Sequence, residues 1–221
     1  MVKKLISFSI WGDKPLYLDG AVRCAQSSKD FYPDYTCRFY HDNTVPGEYL
    51  MKFVDAGAEI RLMPRSIDVL GMYWRFRPMF EDNENIERFL VRDTDCAFTR
   101  REVDAVREWE SNGKPFHIIR DNRVHNIPKL GGTWGAIPGC IQGFQIAMES
   151  WLSHVQPMPS QHEGRLYHGT DQLFLGWYVW PRVFMNHTAH IRSGENNLKF
   201  TGEEIELPPL EENGHYVGQV A

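Results

Sequence analysis

Phe89-Leu90-Val91-Arg92-Asp93-Thr94-Asp95 decides how this chain is read. An apolar strand runs directly into two carboxylates separated by a single threonine. In α/β proteins the carboxyl ends of buried strands are where ligands bind. Asp93 and Asp95 would share one small space at that edge, and two anions a few ångströms apart repel. A divalent cation, a proton or an arginine must compensate them. A hard metal held by carboxylate oxygens, and also carrying a diphosphate, meets that need. A capped turn at a strand end, where Asp is common, would produce the same triplet.

Outward from this strand, apolar runs alternate with helical patterns. Strands are expected at 4–10, 35–40, 58–62, 88–91 and 115–119, and helices at 17–26, 46–53, 70–80 and 102–110. Pro46 suits a helix opening, and Gly113 marks a helix stop. Strands spaced by helices predict an α/β fold, with a mostly parallel sheet flanked by helices. No G-x-G-x-x-G follows the first strand, so the usual nicotinamide or flavin fingerprint is absent. No G-x-x-x-x-G-K-[ST] occurs, which excludes an ordinary P-loop ATPase.

Periodicity is lost over 125–138, where Leu130-Gly131-Gly132-Thr133-Trp134-Gly135 would let backbone approach a ligand closely, or would make a plain tight turn. A helix is expected at 141–151 and a loose loop at 153–163. Tyr167-His168-Gly169-Thr170-Asp171-Gln172 then leads into a helix at 173–180. Thr170 can cap it, and Asp171 would stand in its first turn, favourably placed against the dipole. Pro181 is expected to end this helix, and 183–185 to form a short strand before His187 and His190.

With 221 residues, the chain has room for one α/β domain with at most a small appendage, and 42% apolar residues suffice for its core. Net charge is -5 with the signs interspersed, which argues against a nucleic-acid surface. Cys24, Cys37, Cys96 and Cys140 form no C-x-x-C pair, so structural zinc is not expected. Free thiols fit a reducing compartment, and the chain is expected to be cytoplasmic. The first eleven residues are too short and too polar for a transmembrane segment and lack a small-residue cleavage site.

Six blocks together resemble the small GT-A-fold nucleotide-sugar glycosyltransferases that carry a D-x-D motif, found in bacterial polysaccharide loci and large viruses. The blocks are Phe8-Ser9-Ile10-Trp11-Gly12, Met72-Tyr73-Trp74-Arg75-Phe76, Arg92-Asp93-Thr94-Asp95, 114–121, Leu130-Gly131-Gly132-Thr133-Trp134-Gly135 and His168-Gly169-Thr170-Asp171-Gln172. They reach from the first strand to about His190. The resemblance implies a glycosyltransferase domain over 1–200, with a nucleotide-binding part at about 1–122 and an acceptor part at about 123–200. An acidic, polar C-terminal tail follows at 201–221. It implies transfer of a hexosyl group from a UDP-sugar such as UDP-glucose to a glycan or glycoconjugate acceptor, with retention, assisted by Mn²⁺ or Mg²⁺.

The chemistry explains the residue types. Negative charge grows on the leaving diphosphate, and a bridging divalent ion stabilises it. Asp95 is the expected direct metal ligand, and the resemblance implies that Asp93 touches ribose, or the metal through water. His187 or His190 would close the coordination shell, although similar enzymes carry His-Asp where this chain has His187-Thr188. Arg75 and Arg92 can meet phosphate oxygens as guanidinium forks, or Arg92 can be a strand-end charge. Trp11 and Tyr17 could stack on the base, or Trp11 could pack the sheet edge. Asp121, His125, Trp134 and Asp171 are the acceptor-side candidates. Asp171 and Arg75 are the expected catalytic residues, Asp171 as nucleophile, electrostatic brace or general base. A sugar-nucleotide nucleotidyltransferase would open on a Gly-rich basic loop, and Trp11-Gly12-Asp13-Lys14 is a poor one. A hydrolase would show a G-x-S-x-G elbow, which is absent. A non-catalytic sugar-binding module would use the tryptophans and acids but has no need of a diphosphate metal.

Overall fold

The structure, a computed structural model, describes residues 2–66, 68–81, 84–122, 131–155, 169–192, 204–210 and 214–220. Strand β1 (Lys3–Ile10) is followed by α1 (Pro15–Phe31), β2 (Tyr35–His41), α2 (Gly47–Asp55) and β3 (Glu59–Leu62). A run of 3₁₀ turns, Asp68–Met79, leads to β4 (Ile86–Arg92), α3 (Arg100–Asn112), β5 (Phe116–Arg120) and β6 (Thr133–Ala136). Helices α4 (Phe144–His154), α5 (Thr170–Phe174) and α6 (Trp180–Val183) precede β7 (Thr188–Ile191) and β8 (Ile205–Glu206), with a π turn at Leu175–Val179 joining α5 to α6.

The described strands make one sheet in the order β3-β2-β1-β4-β6-β5-β7-β8. Every neighbouring pair is parallel except those of β6, which runs antiparallel to both β4 and β5. The expected single α/β domain with a mostly parallel sheet is therefore what the chain forms. The parallel strands β1, β2, β4 and β5 all end at one edge, and β6 begins there, with Thr133 paired to Arg92. Whatever follows β1, β2, β4 and β5, and whatever precedes β6, is gathered at that edge.

Both faces of the sheet are covered, and the strands alternate between two cores. Leu5, Phe89 and Val91 face the 3₁₀ run, α4 and α5, while Ile6, Phe8, Ile10 and Leu90 face α1, α2 and α3. Burying each such side chain is worth about 1.5–3 kcal/mol, so a one-residue slip of β4 would exchange the two faces and is strongly disfavoured. Helix α3 opens on Thr99, whose hydroxyl accepts the Glu102 N–H at 3.2 Å, and stops at Gly113, φ 74°. No described helix is long and apolar enough to cross a membrane.

Four expectations need correction. The segment 183–185 is not a strand: α6 continues through Pro181, which sits in a first turn where its missing N–H costs nothing, and the strand is Thr188–Ile191. Thr170 does not cap α5. Gly169 takes that position at φ 137°, a backbone angle glycine tolerates, and Thr170 is already helical. Residues 133–136 form β6 rather than a turn. The helix over 70–80 is wound as 3₁₀ turns with Pro78 inside it. The block 125–130, Tyr167-His168 and most of the 153–163 loop lie outside the described residues.

Candidate functional site

The 3₁₀ run is clamped to β1 by two serines on that strand. Ser7 Oγ donates to the Arg75 carbonyl at 2.7 Å, and Ser9 Oγ accepts the Arg75 N–H at 2.8 Å. This fixes the Arg75 backbone above the sheet edge, with its side chain buried. One end of the guanidinium pairs with Asp93 Oδ1, and the other donates to Asp171 Oδ2 at 2.8 Å. Burial opposes the charge on Arg75, but Asp93 and Asp171 outweigh it and push its pKa up. Arg75 Nε is also buried and has no hydrogen-bond partner among the described residues. Asp171 is 3% exposed, and its Oδ1 accepts the following Gln172 N–H at 2.8 Å. Two carboxylates from β4 and α5 are thus held by one arginine, which is a charge-assisted and geometrically fixed arrangement.

Gly131 and Gly132 complete this corner. A Cβ on Gly131 would stand 2.5 Å from Asp171 Oδ2, and one on Gly132 would stand 1.8 Å from Asp93 Oδ2. The glycines do permit close approach, but what the backbone approaches is the pair of carboxylates. On the other side, α1 lies against the carboxylate turn: a Cβ on Gly20 would meet the Thr94 carbonyl at 2.1 Å. Gly20 and the serines of β1 were not singled out from sequence. Only the later contact identifies a glycine inside a helix as a point of close packing.

Asp95 is half-buried beside the turn. Burial first, and the charge of Asp93 second, raise its carboxyl above the usual range. Tyr17 lies near both aspartates, since burial and then the charges of Asp95 and Asp93 push its phenol up. Trp11 packs on Gly71, where a Cβ would meet its ring at 2.8 Å, and meets Trp74 edge-on at 6.1 Å. The loops after β1, β2 and β3 are tied through Asp42. Its Oδ1 accepts the Thr44 N–H at 3.0 Å and its Oδ2 accepts the Ser66 N–H at 2.8 Å, while Gly12 N–H donates to Thr44 Oγ1 at 2.7 Å.

Several candidates turn inward. Arg92 does not reach the edge: its Nε meets Glu102 Oε1 at 2.6 Å and its Nη1 donates to the Val91 and Trp134 carbonyls. As placed, its charge is compensated by Glu102, not offered to phosphate. Trp134 offers no sugar platform, since its ring is fully buried and stacked on Phe116 at 5.2 Å. Asp121 is 0% exposed, lies 3.0 Å from Arg101, and accepts the Val217 N–H at 2.8 Å. His190 is buried with both ring nitrogens engaged, Nδ1 at 2.9 Å from His117 Nε2 and Nε2 at 3.1 Å from Glu108 Oε2. His187 Nδ1 lies 3.0 Å from the Val183 carbonyl, and its ring rests edge-on to Trp180 at 5.2 Å. Among the described residues no group of three or more His, Cys, Asp or Glu side chains is placed to hold a metal. Neither histidine is therefore brought to the aspartates. His125 lies outside the described residues.

The carboxylate turn still suits a hard cation in part. Asp93 and Asp95 present oxygen donors, the donor type that Mg²⁺ and Mn²⁺ accept, and burial and the charge of Asp93 disfavour the ionised Asp95, a cost that a cation would relieve. Such a cation would take its remaining ligands from diphosphate and water oxygens.

No known family model matches the chain, and no curated protein is significantly similar to it. Solved structures align with it at low identity. A mycobacterial protein aligns with a TM-score of 0.50 at 11% identity, over 89% of this chain and 68% of its own. A glycosyltransferase involved in glycosylation of the major capsid of PBCV-1 aligns with a TM-score of 0.48 at 12% identity, over 86% of this chain and 81% of its own. Glucosyl-3-phosphoglycerate synthase from Mycobacterium tuberculosis, in complex with phosphoglyceric acid, gives 0.43 at 10% identity, over 67% and 64%.

Proposed function

We propose that this chain is a metal-dependent glycosyltransferase. It moves a hexosyl group from a nucleoside-diphosphate sugar to a hydroxyl of a glycan or similar acceptor. The observation that carries this reading is the single guanidinium of Arg75 joining Asp93 of the D-x-D turn to Asp171 under the Gly131-Gly132 backbone. A binding module has no use for a buried carboxylate held rigidly beside a diphosphate-type metal turn, whereas transfer chemistry needs both.

In this reading Asp93 and Asp95 would hold a Mn²⁺ or Mg²⁺ ion, which would supply positive charge for the diphosphate leaving group. Tyr17 and Trp11 border the nucleotide, with uridine the preferred base and glucose the preferred sugar. Arg75 donates to Asp171 and aims it, so Asp171 suits the role of brace or nucleophile at the anomeric carbon. That favours retention. A carboxylate already held by a neighbouring group loses little on reaching the transition state, which is where preorganisation acts. The test is a screen of nucleotide sugars for metal-dependent hydrolysis, read as released nucleoside diphosphate. Release from a UDP-hexose with Mn²⁺, abolished by chelator, is expected. No release from any nucleotide sugar, with or without acceptor glycans, would overturn the reading.

A further inference from the structure

Residues 214–220 return to the back of the carboxylate turn. Val220 forms an isolated antiparallel bridge with Cys96, the residue that follows Asp95. Three residues earlier, the Val217 N–H donates to Asp121 Oδ2 at 2.8 Å. The Val217 side chain is fully buried in a small cluster with Ala105, Ile119 and Leu207. Between the two contacts the chain closes a turn of its own. Gln219 N–H donates to the Tyr216 carbonyl at 3.1 Å, and Tyr216 N–H donates to Gln219 Oε1 at 3.2 Å. The segment is therefore anchored at one point, closed into a turn in the middle and paired with the carboxylate turn at its end.

The turn needs such support. It sets two carboxylates one residue apart, and like charges that close repel. Its two ends are fixed, by Arg92 on Glu102 and by Thr99 at the start of α3. From inside, Cys24 Sγ reaches the Cys96 carbonyl at 3.2 Å. From the outside, the described contact on Cys96 is Val220.

We propose that residues 214–220 are a positioning strap for the carboxylate pair. Anchored on Asp121 and in the Val217 cluster, the strap pins Cys96 and so sets where Asp95 stands. Its effect on donor binding rests on the function proposed above. Its effect on the turn does not.

Two full-length variants test it. Val217→Asp sets a second carboxylate against Asp121 inside an apolar cluster, which undocks the strap. Val220→Pro removes a backbone N–H and constrains the backbone at an exposed position, so the sheet is untouched. The first readout is hydrogen exchange of the amides of 93–99 without ligand. Exchange there is expected to rise at least tenfold in Val217→Asp and measurably in Val220→Pro, with β1 and β4 unchanged. The second is calorimetry with Mn²⁺ and UDP, together with donor kinetics. Affinity is expected to fall about tenfold and the donor KM to rise alike, with kcat within a few-fold. If Val217→Asp fails to fold, Val220→Pro decides. Unchanged exchange at 93–99 in the folded variant overturns the strap. A wild-type chain that binds no metal–nucleotide counts against the proposed function instead, because the exchange readout uses no ligand.

Discussion

At the scale of single residues, the site turns on one arginine serving two acids. Arg75, Asp93, Asp95 and Asp171 were all named from sequence, because each follows a recognisable strand end, glycine or aromatic block. What sequence could not show is which charges turn inward. Arg92, Asp121 and Trp134 sit in equally suggestive places, but their partners Glu102, Arg101 and Phe116 come from other elements, and no local pattern announces such a pairing. Two substitutions weigh the remaining claims. Asp171→Asn keeps the shape and can still accept from Arg75, so donor and metal affinity should stay within a few-fold. Turnover should fall by roughly a hundredfold or more, the range that charge-stabilising groups supply. Near-normal turnover at saturating donor, with only a lowered melting temperature, would reduce Asp171 to a structural partner of Arg75. Gly132→Ala acts differently. Its Cβ would displace the Asp93 carboxylate, which stands 1.8 Å away, and so break the pairing with Arg75 without asking the backbone for an unusual angle. Metal-dependent nucleotide binding should weaken at least tenfold in calorimetry, and an unaltered affinity would show that Asp93 has no part in the site.

At the scale of elements, the strands and helices of the first half were legible from their apolar patterns, apart from the 3₁₀ winding of Asp68–Met79. Strand β6 was not. Its four residues, Thr133–Ala136, contain a glycine and follow two more, so composition argued for a turn. It forms because β4 and β5 leave an antiparallel slot between them, and Gly135 fits where a Cβ would meet Leu90 and the Phe89 carbonyl at 2.9 and 3.0 Å. The strands β5 and β7 carry a second feature, a hydrogen-bonded chain that runs from the exposed Glu108 of α3 through the buried His190 to the buried His117. An ionised Glu108 can only accept, so His190 donates from Nε2 and accepts on Nδ1 from His117 Nε2–H. His117 Nδ1 is then buried without a hydrogen-bond partner among the described residues. Burial holds both histidines below their ordinary value of 6.5, His117 by far the more. The unfolded chain therefore binds protons below pH 6.5 that the folded chain refuses, and stability is lost as pH falls through that value. The loss approaches about 1.4 kcal/mol per pH unit for each proton withheld. Urea midpoints between pH 7 and pH 5 should show this slope, and His117→Gln, which can still donate to His190, should remove part of it. Identical slopes in the two proteins would place the acid sensitivity elsewhere.

At the scale of the whole molecule, the edge of the sheet is a place where the fold spends stability and a ligand should return it. The carboxylates, Arg75, the tied loops of Asp42 and residues 214–220 meet there, and in the proposed function a cation relieves the crowding of the two aspartates. In the function proposed above neither metal nor nucleotide alone completes the site, so the two should bind with positive coupling, each raising the affinity of the other equally. At a hundredfold excess over the dissociation constant, a ligand that binds only the folded chain stabilises it by about 2.7 kcal/mol. For a domain of this size that is a rise of about 5–10 °C in melting temperature. The expected pattern with Mn²⁺ alone, UDP alone and both together is a small shift, a small shift and the full one, cancelled by chelator and absent in Asp95→Ala. The pH dependence carries a sign as well. Asp95 holds its proton above the ordinary carboxylate value of 3.8, because of burial and then Asp93. The unliganded fold is therefore stabilised by this group as pH falls through the window just above that value, while the liganded fold is not, since the proton displaces the cation. The ligand-induced shift should consequently shrink on acidification before the unliganded chain loses its fold through the carboxylates. Equal shifts for UDP with and without Mn²⁺, at every pH, would mean that the nucleotide is held without Asp93 and Asp95, and the metal would have to be dropped from the mechanism.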